Sequence, residues 1–350
     1  MYGSVHFKYA QASAANDDGH DDPPRRRCFC AIKTTNSKQN PPPKAEGFFV
    51  AIFLFFENDG EHKPSGESHQ FIMGHSVPQQ SIKWRTTMNY GTAVISDCYC
   101  RNAAGRQSAR IEAIFGNGPK IIGARSDLEA SGQLIDYLDA RLGAPSVVFV
   151  NVAPRGGSGT KHKNGSPFGH VRIGNTHIFS TLDGFALSFV KKFELATTVD
   201  VIDLPSATAW GVKTSRLSES EADWISTTQF RSFELPRIAK WIVDDEYYPL
   251  EQKLLASIVP DPVPAVWYVD HPFGNVKTTI LGTELPALRA EKRIRHHDLP
   301  QYDRLSDAPV GEPAWVTGSS GIGPWRFAEV VIRGGNAASR FRDLQIGALL

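Results

Sequence analysis

The stretch "KIIGARSDLEASGQLIDYLDARLGAPSVVFVNVAP", residues 120–154, decides the fold. It opens on a short strand, "KIIGAR". Residues 126–143 then read as a helix. Ser126 is placed to cap it with Glu129 three residues on, Leu134, Ile135 and Leu138 form an apolar stripe, and Gly143 closes it. "SVVFVNVAP" is apolar without alternation, as a strand covered on both faces requires. Strand, helix and strand in this order imply a parallel sheet in an α/β layer.

Working outward, "TAVIS" (92–96) reads as the first strand of that sheet. "RQSARIEAIFG" reads as a helix with apolar positions Ala109, Ile111, Ala113 and Ile114, ended by Gly116. Downstream come a glycine-rich loop, two strands ("HVRIGN", "THIFSTL"), a helix from about Phe185 and another over "ELPRIAKWIVDDE". The prolines of "VPDPVPAV" (259–266) mark a linker. Beyond it the chain reads as strands and turns with no long helix. The pattern gives an α/β N-terminal domain with a mainly parallel sheet over 88–258 and a mostly β domain over 262–350. Residues 1–87 are Pro-rich, polar and unpatterned, and read as a low-order extension. Met88 stands just before the first strand, so the expected functional start is near it.

Net charge is +1, from 38 basic and 37 acidic side chains. This gives no electrostatic reason to expect nucleic acid or an acidic membrane surface as partner. The longest apolar run, residues 48–56, falls short of the roughly 20 residues of a spanning helix. The four cysteines form two C-x-C pairs, Cys28/Cys30 and Cys98/Cys100. That spacing is tighter than zinc sites use, so reduced thiols in a cytoplasmic protein and no metal are expected. His296 and His297 are adjacent and point apart, a poor metal pair. "RGGSGTKHKNG" lacks the spacing and the following helix of a phosphate loop, and reads as a lid or surface loop. "GSSGIG" (318–323) runs into a strand and is no dinucleotide fingerprint.

Two features point to chemistry. Asp97 ends the first parallel strand, where α/β sheets bind ligands; a turn or capping aspartate is the plain alternative. "WYVDHPFGNVKTT" (267–279) is a hairpin whose turn carries Asp270, Phe273, Gly274 and Asn275, more than a turn needs.

In order along the chain, "AVISD", "FVNVAPRGG", "FSTLDG", "VDHPFGNVKTT" and "RFAEVVIRGGNAAS" resemble the landmarks of the S-adenosylmethionine hydroxide adenosyltransferase family, which includes fluorinases and chlorinases. The resemblance covers roughly residues 88–350. It implies a C-terminal β-barrel, a homotrimer with its ligand between subunits, no separate cofactor, and attack on C5′ of S-adenosylmethionine to give adenosine and methionine. It assigns Asp97 to the ribose hydroxyls, Asn275 to the adenine edge, Phe273 to a ring face and Asp270 to the methionine ammonium. Ser319, Ser320 and Arg326 fall near the methionine carboxylate. The family's water-activating Asp, Arg and His are not all kept. The Asp falls on Ala153, the Arg falls near Lys161 or Lys163, and the His falls near Gln229; Arg231 remains, followed by Ser232 in place of Asp. The resemblance thus implies a hydrolase with Arg231 and Lys161 at the reacting end. The alternatives are a non-catalytic binder of S-adenosylmethionine or adenosine, and a descendant that has lost the ligand.

Overall fold

The computed structural model describes residues 89–154, 167–227, 231–249 and 251–350, without the side chains of residues 226–233. The expected extension over 1–87 and its start at Met88 lie outside these residues, as does most of the glycine-rich loop. The first sheet holds β1 (Gly91–Ser96), β2 (Lys120–Gly123), β3 (Ser146–Asn151), β4 (Phe168–Ile173), β5 (Thr176–Thr181), β6 (Thr198–Ile202) and β7 (Glu251–Leu254). Their order is β2-β1-β3-β5-β4-β6-β7. β2, β1, β3 and β5 pair in parallel; β4 is antiparallel to β5 and β6, and β7 to β6.

The sheet is covered on both faces, as the unbroken apolar run at 147–150 requires. Ala93, Ile95, Val148 and Val150 face α2 (Asp127–Arg141) and the short α3 (Ser188–Lys192). Val94, Val147 and Phe149 join the core that holds residues of α1 (Arg101–Phe115), α4 (Leu204–Lys213), α5 (Glu219–Thr227) and α6 (Arg231–Val243). The Ser126 side chain accepts from the Glu129 amide at 3.1 Å and so caps α2. The second half of the capping box shifts by one residue, since Glu129 accepts from the Arg125 amide. α1 ends on Gly116, as read, while α2 ends on a left-handed Leu142, one residue before Gly143.

After α7 (Leu255–Ile258) the chain forms a second sheet of β8 (Val266–Val269), β9 (Val276–Leu281), β10 (Gln301–Tyr302), β11 (Pro313–Ile322) and β12 (Trp325–Ile332). Its order is β10-β11-β12-β9-β8, antiparallel except for β10 with β11. Its helices, α8 (Leu285–Ala290) and α9 (Ala337–Arg340), are short. The two sheets share a core: Trp267, Leu281 and Phe327 join Leu134, Leu138 and Phe189. No described helix is long and apolar enough to cross a membrane.

At the amino-terminal end of β5 lies a polar chain that the sequence reading did not anticipate. His170 Nδ1 lies 3.3 Å from Asp200 Oδ2, and its Nε2 lies 3.1 Å from His177 Nδ1. With Asp200 accepting from Nδ1, the second link runs from the His177 Nδ1 proton to the His170 lone pair. The two rings stack, and the Tyr90 ring meets His177 edge-on. Burial, then the neighbouring His170 and Arg172, push His177 down to about 4; burial also lowers His170, against the pull of Asp200. A histidine whose folded value is depressed contributes stability that is complete above its unfolded value of about 6.5 and is lost as pH falls towards 4. Wild-type protein is therefore expected to lose up to about 3 kcal/mol between those limits through this residue. Denaturant titrations across that range check it: His177→Gln should flatten the slope, and an unchanged slope would contradict this account.

Candidate functional site

The carboxyl ends of β1, β3 and β5 lie side by side because these strands pair in parallel register. Asp97 follows β1 directly, and its Oδ2 accepts from the Ala153 amide at 3.3 Å, just beyond β3. The Thr181 hydroxyl, at the end of β5, donates to the Val152 carbonyl at 3.1 Å. Asp127, at the start of α2, is buried, and its Oδ2 accepts from the Phe185 amide at 2.7 Å. It fixes the "LDG" turn after β5. The sequence reading missed Asp127; its only local sign was the position after a capping serine. Beside that turn, a cavity of about 520 Å³ is lined by Asp183, Gly184, Lys191 and residues 256–261.

The second half of the site is the 270–275 turn. The Asp270 amide donates to the Asn275 carbonyl, and the Gly274 amide donates back to Asp270. The Ala338 amide donates to the Gly274 carbonyl at 3.0 Å. Gly274 has φ +73°, and a Cβ there would stand 2.1 Å from the Asn336 side chain. Only glycine fits, for both reasons. Asn336 in turn accepts from the Ser339 amide and caps α9. The structure therefore joins "FGN" and "GGNAA", separated in the chain, into one unit. On this fixed backbone Asp270 and Asn275 are half-buried, and the Phe273 ring is 67% exposed.

A contact within the chain ties the turn to the carboxyl edge of the first sheet. Arg125, just beyond β2, places a guanidinium nitrogen 2.8 Å from His271 Nε2. Glu129 supports Arg125 from below; burial pushes its carboxyl up. Burial likewise pushes up the phenol of Tyr268, helped by Asp270 and Glu129.

Of the remaining expected residues, those described lie on β11 and β12 and in α6. Ser319 is exposed, whereas Ser320 is buried and bonded by Lys277, whose ammonium lies 5.6 Å from the Trp267 and Tyr268 ring centres. Arg326 pairs with Asp139 at 2.9 Å and reaches the Ser319 and Gly321 carbonyls. Its guanidinium fastens β12 to α2. "GSSGIG" is the end of the β11–β12 hairpin: Gly321 and Gly323 amides donate to Asp136 and Asp139, one helical turn apart. Gly321 has φ +130°, and a Cβ would meet the Trp325 carbonyl at 2.1 Å. Burial pushes up the carboxyls of Asp136 and Glu329 beside Lys277, while Arg326 holds Asp139 down. Arg231 begins α6, with its side chain outside the description; Lys161, Lys163 and Gln229 lie outside the described residues. Among the described residues, no group of three or more His, Cys, Asp or Glu is arranged to hold a metal ion.

Residues 264–347 match the SAM hydroxide adenosyltransferase C-terminal domain. The matched segment includes both the 270–275 turn and "GGNAA". Two solved structures are similar over most of their length. An uncharacterized conserved protein from Thermotoga maritima is 14% identical, with 73% of this chain and 97% of that one covered and a TM-score of 0.46. A conserved hypothetical protein from Thermus thermophilus is 15% identical, with 74% and 97% covered and a TM-score of 0.43. No curated protein matches the chain.

Proposed function

From a C-terminal segment that matches the SAM hydroxide adenosyltransferase domain, we propose that this protein binds S-adenosylmethionine and hydrolyses it to adenosine and methionine. The observation that carries this reading is the 270–275 turn: its backbone is pinned at three points, yet it presents an exposed phenyl ring between a carboxylate and a carboxamide. An exposed ring on a rigid support suits stacking on a nucleobase or ribose face. Asn275 offers donor and acceptor to an adenine edge, and Asp270 meets the methionine ammonium. Asp97, oriented by the Ala153 amide, accepts from the two ribose hydroxyls in charge-assisted bonds. Ser319 and Ser320 stand towards the methionine carboxylate, while Arg326 stays with Asp139.

The reaction is displacement at C5′. Water oxygen bonds to C5′ as the C5′–S pair moves onto sulfur, which leaves as neutral thioether, and one water proton passes to solvent. The leaving group needs no acid, so catalysis rests on alignment and exclusion of bulk water. Arg231 and Lys161 attract the incoming oxygen. The site is shared between subunits of a trimer, whose C-terminal sheets close as barrels, in a cytoplasmic protein.

Ala153 supports a second reading. Its backbone amide reaches Asp97, and its side chain is a methyl where the resembled family has a carboxylate. A missing general base costs on the order of 10²–10⁴-fold, which leaves a protein that binds S-adenosylmethionine without turning it over. Full-length protein with S-adenosylmethionine, followed by calorimetry and by adenosine release, separates the two. Saturable heat with adenosine is the expected result; heat without adenosine selects the binder, and neither signal rejects both.

A further inference from the structure

The turn that carries Asp97 also carries two thiols. Cys98 and Cys100 are both exposed, two residues apart, with no disulfide between them. They flank Tyr99, whose ring rests against Gly123 so closely that a Cβ there would lie 2.8 Å from its Cγ. The Cys98 amide is bonded to the Ser96 hydroxyl at 3.0 Å, and Cys100 begins α1 in an extended conformation, φ −61° and ψ 152°. Asp97 is therefore one peptide away from an exposed thiol pair, on a segment held by local contacts.

We propose that Cys98 and Cys100 are a thiol–disulfide modification site that controls access to the Asp97 ligand site, with a small-molecule disulfide such as oxidised glutathione as the reactant. This rests on the reading of Asp97 as a ligand residue. One cysteine sulfur, as thiolate, attacks the small disulfide. A mixed disulfide forms, and the first small thiolate leaves and takes up a proton. The second cysteine then attacks the protein sulfur of that bond and expels the second small thiolate. Two protein thiols are oxidised, and one small disulfide becomes two thiols.

Closure requires the two Cα atoms within about 7 Å of each other and the sulfurs turned together. Turning the two sulfurs together takes Cys100 out of its extended conformation and draws Tyr99 off Gly123. The Asp97 carboxylate, one residue upstream, moves from the Ala153 amide. The mixed disulfide places bulk at the same mouth. Both oxidised states weaken the hold on a ribose.

The experiment uses full-length protein carrying Cys28→Ser and Cys30→Ser, so that one pair remains, equilibrated with reduced or oxidised glutathione. Intact mass reports the thiol state, and amide exchange over residues 91–115 reports the turn. Calorimetry reports S-adenosylmethionine affinity. The expected result is oxidation of the pair, faster exchange confined to residues 97–101, and affinity weakened about tenfold or more, all reversed by dithiothreitol. Cys98→Ser with Cys100→Ser should bind like the reduced protein and show no redox response. A pair that stays reduced, or oxidises without change in exchange, overturns the proposal, as does unchanged affinity in a protein that binds. If the reduced protein binds no S-adenosylmethionine, the functional reading fails, and Cys98/Cys100 control of that site fails with it; the mass and exchange data then still decide whether the pair is a thiol–disulfide site.

Discussion

Trp267→Ala is expected to destabilise the fold by about 3–5 kcal/mol, the range for removing a buried large aromatic. Trp267 is 1% exposed and contacts the Phe327 and Tyr268 rings, with the Lys277 ammonium 5.6 Å from its ring. Its six-membered ring rests on Gly132 of α2, where a Cβ would stand 2.3 Å from Trp267 Cε3. The indole is thus an apolar contact through which the second sheet sits on the helix that also covers the first. Deleting it leaves a cavity in a core that both sheets share, and neither can relax into it without shifting α2. The indole nitrogen makes no hydrogen bond in the structure, so the loss is one of packing. Trp267→Phe should therefore cost clearly less. Denaturant unfolding of both variants measures this. A loss below about 1 kcal/mol for the alanine variant would mean that the two sheets do not depend on a common core.

Asp97→Ala is expected to weaken S-adenosylmethionine binding about 100-fold, with adenosine release falling alongside. Two charge-assisted bonds to a vicinal diol, at about 1.5 kcal/mol each, give that factor. The carboxylate is half-buried and its contact to the Ala153 amide is long, at 3.3 Å, so the fold should lose far less than the affinity. The pair of outcomes is diagnostic: affinity collapses while the melting temperature stays near wild type. Asp97→Asn should retain part of the affinity, since the amide oxygen still accepts. Calorimetry on both variants checks it, and wild-type affinity in Asp97→Ala would remove the residue from the site.

What could be read in the chain was what local chemistry fixes. The Ser126 cap, the Gly116 stop, the apolar strand at 146 and the hairpin at 267 each carry their signal within a few residues. The turn at 270–275 was legible for the same reason, because its surplus of functional groups is contiguous. The pairings of β4 with β6 and of β6 with β7 were not, since they join segments tens of residues apart. Arg326 shows the cost of that blindness. Its neighbours in the chain give no sign of its partner Asp139, which lies 187 residues away. Asp136, Asp139 and Gly321 form one clamp, yet no stretch of sequence contains them together. Asp127 was overlooked because a buried acid at a helix start resembles any first-turn carboxylate until its partner, the Phe185 amide, is in place.

The clamp of the β11–β12 hairpin on α2 has a consequence for synthesis. Asp136 must wait for the Gly321 amide, 185 residues downstream. At roughly 5–20 residues per second, that interval is on the order of 10–40 s. Until residue 267 is made, well into that interval, the α2 face around Gly132 stands without the tryptophan that will cover it. The nascent first sheet is therefore an incomplete body with an open apolar side, and ribosomal pausing after β7 would lengthen the period in which chaperones or a second nascent chain can reach it.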